Sequence, residues 1–275
     1  MDFTAPAEVR FHHFFGTQGL VIALGRCSEP TETRYDDIMV KLIVFGATGF
    51  AGGEVIRVAL KSPEVTQVTA VARRSLENAT NDPRLKVLIH NNFEDYNTLS
   101  EEFRTHDAVI WALGGKVSDF PSIEEATKVT HTYATRALES IKEARGGSTP
   151  PFHFCYLSGM GADRTESQHF FFEKASRYLK GRTEKDLLTI VDGNTHPSLR
   201  LIMHRPGGIL DTTSEGMRSR LRHGLSRVMR PYFIENKLVA GSLLHTATHG
   251  SQKDTLENAD MIERGGLFLS SIGLQ

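Results

Sequence analysis

The sequence holds only two cysteines, Cys27 and Cys155, in 275 residues. Two thiols cannot build a disulfide scaffold or a thiolate zinc site, and their scarcity fits a reducing, cytoplasmic compartment. An excess of charge of either sign is also missing: 32 Lys and Arg stand against 33 Asp and Glu, a net charge of −1. A nucleic acid or an anionic membrane surface as main partner calls for a basic excess, so neither is expected. No apolar run approaches the roughly 18–20 residues that span a bilayer. No G-x-S-x-G elbow occurs, which removes the main support for a hydrolase. His245 and His249 would share a helical face, but the Glu of a metalloprotease helix and a third nearby ligand are lacking, so no metal is expected. What is present is an ordinary globular balance, 39% hydrophobic and 24% charged, rather than a disordered chain.

The length suits one large domain with an appendage. Residues 1–38 read as an irregular N-terminal appendage, with His12-His13-Phe14-Phe15, a short apolar run from Leu20 to Leu24 and a turn-rich stretch after it. A mitochondrial presequence avoids acids and is rich in Arg, and Asp2, Glu8 and the sparse Arg count against one here. From residue 39 to 275 a single domain is expected. Apolar runs at 40–45, 65–72, 85–89, 108–113, 152–157 and 199–203 read as six strands. Helices fall between them at 54–61, 95–104 and 171–190, and Ala126, Val129, Tyr133, Ala137 and Ile141 mark a long amphipathic one. Strands alternating with helices imply an α/β fold, a doubly wound parallel sheet, because parallel neighbours need crossovers. Residues 214–230 and 235–263 are expected to form a small C-terminal helical cap on the substrate side, with Met217, Leu221, Leu225 and Val228 as its buried stripe. The run Phe170 to Phe172 reads as core or pocket lining.

Gly46-Ala47-Thr48-Gly49-Phe50-Ala51-Gly52 has the spacing G-x-x-G-x-x-G between the first strand and the first helix. In that context the glycines let the main chain approach a pyrophosphate, and the helix start offers free N–H groups and the positive end of its dipole. Gly46, Thr48, Gly49, Phe50 and Gly52 are therefore candidate cofactor contacts. The second strand ends at Arg73-Arg74. An acid at that tip would bind a ribose 2′-hydroxyl, whereas Arg accommodates a 2′-phosphate, so NADP is expected ahead of NAD.

Further motifs join these: Leu113-Gly114, the run from Leu157 to Ala162 with Ser158 and Gly159, Lys180-Gly181-Arg182-Thr183-Glu184, and Arg205-Pro206-Gly207. As an ordered set they resemble an atypical short-chain dehydrogenase/reductase over roughly residues 40–265. The resemblance is narrower to the branch of Tat-interacting oxidoreductase-like and NmrA-like NADP-binding proteins, especially its small fungal members. It implies a Rossmann fold and NADP binding, with Leu113, Gly114, Lys180 and Pro206 added to the cofactor contacts.

It also implies an active site of Ser, Tyr and Lys. In that family a Tyr hydroxyl exchanges the substrate's proton, a Lys four residues later lowers the phenol's pKa and holds the nicotinamide ribose, and a Ser binds the carbonyl oxygen. Ser158 matches the serine and Lys180 the lysine. Four residues before Lys180, however, stands Ser176, and the nearby phenol, Tyr178, lies about 200° round the helix from it. The catalytic candidates are thus Ser158, Lys180, Ser176 and Tyr178. Tyr156, set back along the fifth strand, reads as core. The expected function is an NADP-dependent oxidoreductase acting on a small carbonyl or alcohol. An NADP(H)-responsive regulator without hydride transfer and a redox-neutral epimerase are the alternatives.

Overall fold

The computed structural model describes residues 39–76, 81–146, 150–168, 172–192, 198–211 and 230–274. The appendage 1–38, the stripe Met217, Leu221, Leu225 and Val228, and Phe170 and Phe171 lie outside the described residues. Phe172 is 81% exposed, so it belongs to neither core nor pocket wall.

Seven parallel strands form the sheet in the order β3-β2-β1-β4-β5-β6-β9. They are β1 (Val40–Phe45), β2 (Val65–Ala72), β3 (Leu85–Ile89), β4 (Ala108–Trp111), β5 (Phe152–Leu157), β6 (Leu199–Arg205) and β9 (Thr255–Glu257). A separate parallel pair joins β7 (Gly208–Leu210) to β8 (Phe233–Glu235). The central strands are apolar on both sides because both faces are covered. Leu42 and Val44 of β1 face the α1 side, where α1 (Phe50–Ala59) supplies Val55, Val58 and Ala59. Ile43 and Phe45 face the other way, onto Phe103 of α2 (Ser100–Thr105) and Ala134, Leu138 and Ile141 of α4 (Tyr133–Arg145). Leu187 of α5 (Lys174–Asp192) completes that layer. This is the doubly wound α/β fold that the alternating pattern implies.

Three details depart from the sequence reading. The segment 235–263 is no cap. Its helix α6 (Asn236–His249) buries Val239, Leu243 and Leu244 in the sheet layer. β9 then pairs beside β6 through Thr255, Leu256 and Glu257, and α7 (Asn258–Ser271) packs Phe268 and Leu269 on the same face. The strand at 255–257 is three residues long and too short to show a period. The amphipathic helix around residue 130 is likewise not uniform: α3 (Ile123–Thr127) passes through a π-helical turn, Lys128–Thr132, before α4. One extra residue per turn there alters which side chains face the sheet. Finally, 95–104 forms only a 3₁₀ turn, Asn97–Leu99, and the short α2.

Within the α6 layer lies a buried histidine, His204. Its Nε2 is hydrogen-bonded to Thr246 Oγ1 at 2.9 Å, and that hydroxyl also lies 3.2 Å from the Ser242 carbonyl. Burial pushes the His204 imidazole down to about 4. The unfolded chain takes up that proton near pH 6.5, so stability is fully present above that pH. It is lost toward pH 4 at about 1.4 kcal/mol per unit for this group. Urea midpoints measured between pH 7.5 and 4.5 should therefore fall with acid, and His204→Gln should flatten the limb. An unchanged slope in the variant would assign the acid sensitivity elsewhere.

Candidate functional site

The order of the sheet reverses between β1 and β4, and loops leaving these two strands part there. Such a switch point at the carboxyl ends of parallel strands is where open α/β sheets bind ligands. A cavity of about 620 Å³ opens at this place. Its walls come from the glycine turn (Gly49, Phe50), the β4 loop (Ala112 to Lys116, Asp119), the β5 end (Ser158 to Met160), the start of α5 and the segment from Pro206 to Ile209.

The glycine turn is built for close approach. Gly46 adopts φ +82°, and a Cβ there would stand 2.5 Å from the Ala112 carbonyl oxygen. A Cβ on Gly52 would collide with the carbonyl of Gly46, so the first helical turn sits directly on the loop. Gly49 caps α1 with no side-chain hydrogen bond, and the first turn carries no acid. The helix therefore presents uncapped N–H groups and a positive dipole end. Asn236, buried at the start of α6, fixes this turn by donating to the Phe50 carbonyl at 2.9 Å. Phe45 pairs with Val71, so the β2 tip leaves the sheet beside the glycine turn. Arg73 and Arg74 stand there exposed, with no hydrogen-bond or ion-pair partner among the described residues.

The opposite wall holds the candidate reacting groups. Ser158 directly follows β5, and its Oγ is buried without a hydrogen-bond partner among the described residues. Lys180 Nζ donates to the Ser158 carbonyl at 2.6 Å. Burial pushes the Lys180 ammonium down to about 8, with Glu184 and Asp119 opposing that shift. Lys180 reaches this point because α5 packs tightly on the loop after β5: a Cβ on the next residue, Gly181, would collide with the Asp163 backbone. One turn further on, Glu184 is completely buried and takes two guanidiniums. Arg205 bonds its Oε1 at 2.9 Å and its Oε2 at 2.5 Å, and Arg164 bonds Oε2 at 2.7 Å. Arg205 continues to Glu257 and Arg164 to Thr255, which ties α5 to β6 and β9.

Ser176 lines the cavity, but its hydroxyl is committed. It accepts from the Val117 N–H at 2.9 Å and donates to Glu173 Oε2 at 3.0 Å. With Lys116 Nζ at 3.4 Å from Glu173, these contacts bind the turn after β4 to the start of α5. Tyr178 is not brought into the site. Its hydroxyl donates to the Gln168 carbonyl at 2.7 Å, as its angular offset on the helix requires. Gly49, Phe50, Leu113, Gly114, Ser158, Ser176, Lys180 and Pro206 meet on the wall, whereas Gly46 and Gly52 shape the turn behind it. Thr48 is exposed, and it, Arg73 and Arg74 lie outside the wall.

Sequence reading missed Thr130, which the π-helical turn carries to the cavity with its Oγ1 buried and unpartnered among the described residues. It also missed Tyr232, a phenol on the wall that is 58% exposed. Tyr156 contributes to the wall but is buried, its hydroxyl 3.4 Å from the Thr130 carbonyl, and burial pushes its phenol pKa up.

A family model described as NAD(P)H-binding matches residues 46–244, from the first glycine of the turn into α6. The chain belongs to this NAD(P)H-binding family. Protein FMP52, mitochondrial, of Candida albicans is 26% identical over 184 residues, which cover 66% of this chain and 70% of that protein. Among solved structures, MoeE5 in complex with UDP-glucose and NAD superposes with a TM-score of 0.57 at 15% identity, covering 86% of this chain and 83% of that one. The PhqB reductase domain from Penicillium fellutanum gives 0.55 at 16%, over 80% and 67%. These two likenesses are likenesses of fold. The NAD(P)H-binding family and the fold both agree with what the motifs implied. The uncapped α1, the glycines that no Cβ could replace and the two unpartnered hydroxyls fit a nicotinamide dinucleotide. Among the described residues no cluster of three His, Cys, Asp or Glu could hold a metal, and no helix is long and apolar enough to cross a membrane.

Removing the Ser176 hydroxyl deletes one hydrogen bond between α5 and the turn after β4, to Val117, and a second at the start of α5, to Glu173. Ser176→Ala is expected to lower stability by about 1–2 kcal/mol, measured as a shift of the urea midpoint with an unchanged slope. An unmoved midpoint would show that this junction contributes nothing.

Proposed function

We propose that the chain is an NADP(H)-dependent oxidoreductase of the atypical short-chain type, acting on a small carbonyl or alcohol. The supporting observation is the meeting of Lys180 Nζ with the β5 end, 2.6 Å from the Ser158 carbonyl, on the wall of the cavity that begins at the glycine turn. When bound, the nicotinamide supplies or accepts a hydride. The chain's own residues do the rest. The N–H groups opening α1 and the Gly46–Gly52 turn hold the pyrophosphate, and Arg73 and Arg74 take the 2′-phosphate as planar charged donors. Lys180 holds the nicotinamide ribose. The unpartnered Ser158 Oγ donates to the substrate oxygen, with which a buried hydroxyl completes its hydrogen bonding.

A second reading, an NADP(H)-responsive regulator without hydride transfer, is favoured by one observation. The residue at the family's phenol position, Ser176, spends its hydroxyl on Val117 and Glu173. In either reading the partner is a small molecule, with no nucleic acid or membrane involved. A cytoplasmic location belongs to the proposal as well. The Candida albicans relative is named as mitochondrial, and fractionation of cells expressing the full chain decides between the two compartments.

Cofactor preference provides the first test. Calorimetry should show tighter binding of NADPH than of NADH. Replacing both Arg73 and Arg74 with Ala should remove about 1.5–3 kcal/mol of the NADPH affinity while leaving NADH nearly unaffected. Equal affinities in the parent protein would contradict the assignment.

A further inference from the structure

Resting on that oxidoreductase reading, we propose that Lys180 itself delivers the proton to the substrate oxygen, in place of the phenol that its helix lacks. In the reductive direction the carbonyl carbon takes the hydride of the nicotinamide dinucleotide. Its oxygen takes a proton from the Lys180 ammonium. The C=O π bond is replaced by a C–H and an O–H bond, the dinucleotide is oxidised, and the carbonyl becomes an alcohol. Lys180, left as a neutral amine, regains its proton from water in the open cavity.

Geometry excludes Ser176, Tyr178 and Tyr156 as donors, which leaves Tyr232 as the phenol on the wall to be separated from Lys180 by experiment. Ser176 donates its only proton to Glu173, and an aliphatic hydroxyl is in any case a far weaker acid than a phenol. Tyr178 is turned onto the Gln168 carbonyl, outside the wall. Tyr156 is buried in the sheet, with its pKa raised. Lys180 keeps two further N–H donors beyond the one on Ser158, and it reaches the same strand end as the unpartnered Ser158 Oγ.

The charged surroundings suit a proton donor at working pH. On α5, Glu184 lies one turn away, itself held by Arg164 and Arg205, while Glu173 and Arg177 line the same cavity. The turn after β4 contributes Lys116 and Asp119, and the β5 end contributes the Ser158 carbonyl. Burial outweighs the two nearby carboxylates, Glu184 and Asp119, and brings the ammonium down to about 8. An acid with a pKa near the operating pH is close to the optimum for proton transfer.

The test uses the full chain in three measurements. NADPH affinity is measured by fluorescence titration, reduction of a panel of aldehydes, ketones and quinones is followed against pH, and the Lys180 13Cε shift is titrated in protein labelled on lysine. Lys180→Arg retains the charge and the reach toward the ribose but cannot release a proton near neutrality. The proposal expects NADPH binding in the parent and in Lys180→Arg, with turnover reduced by about 100-fold or more in the variant. Parent turnover should fall about tenfold per pH unit above the Lys180 pKa, and the 13Cε shift should report that same pKa, about 8.

Several results overturn the proposal. Turnover in Lys180→Arg comparable to the parent would do so, as would a 13Cε titration at the ordinary lysine value of about 10.4. NADPH binding with no carbonyl reduced at any pH would overturn it too. Loss of turnover in Tyr232→Phe alongside its retention in Lys180→Arg would give the proton to that exposed phenol. Should Lys180→Arg fail to fold, the 13Cε titration of the parent decides alone. A parent that binds no NADPH fails the oxidoreductase reading itself, before Lys180 is in question.

Discussion

Parallel strands can neighbour one another only through crossovers, and here the crossovers run in opposite directions from the middle of the sheet. From β1 the chain moves out through β2 to β3, then returns to place β4 on the other side of β1. The loops after β1 and β4 must therefore diverge, and the cleft they leave cannot be filled by a connecting helix. The other features of the site follow from that constraint. The glycine turn occupies one lip, the Ala112 to Lys116 loop the other, and the ends of β5 and β6 extend the floor. Gly46 packs so closely on Ala112 that the two lips are in contact at the root of the cleft.

Keeping a lysine ammonium in such a cleft needs support from outside it, and the buried Glu184 provides that support. A carboxylate with no exposure is costly unless it is paired and hydrogen-bonded. Arg205 and Arg164 meet that requirement from β6 and from the loop after β5. The same contacts join α5 to β9, a strand contributed from near the end of the chain. The position of Lys180 is thereby coupled to the whole carboxyl-terminal half of the sheet. On its other flank the Ser176 to Val117 bond couples α5 to the loop after β4. Ser176, at the position where the resemblance implies a proton donor, serves here as a joint.

The sequence made the sheet and its glycine turn legible because their signals are local. Six strands were apolar runs bounded by turn residues, and the spacing from Gly46 to Gly52 declares its own geometry. The pairing of Glu184 with Arg205 was visible only as two separate motifs, since nothing in a linear sequence shows that residues on different elements touch. β9 went unread because three residues carry no period. Thr130 was hidden for a different reason: a regular 3.6-residue helix was assumed through residues 126–141, and the π-helical turn breaks that register. That α6 lies on the sheet rather than in a cap was hidden for a third reason. Its contacts with α1 and the sheet are long-range.

On the proposed function, one dinucleotide lies along this cleft, from the β2 tip to Lys180. A crystal structure of the chain with NADPH tests it most directly. The 2′-phosphate is expected against Arg73 and Arg74, the pyrophosphate on the N–H groups opening α1, and the nicotinamide beside Ser158 and Lys180. A dinucleotide bound elsewhere, or one whose nicotinamide end lies away from Lys180, would contradict it.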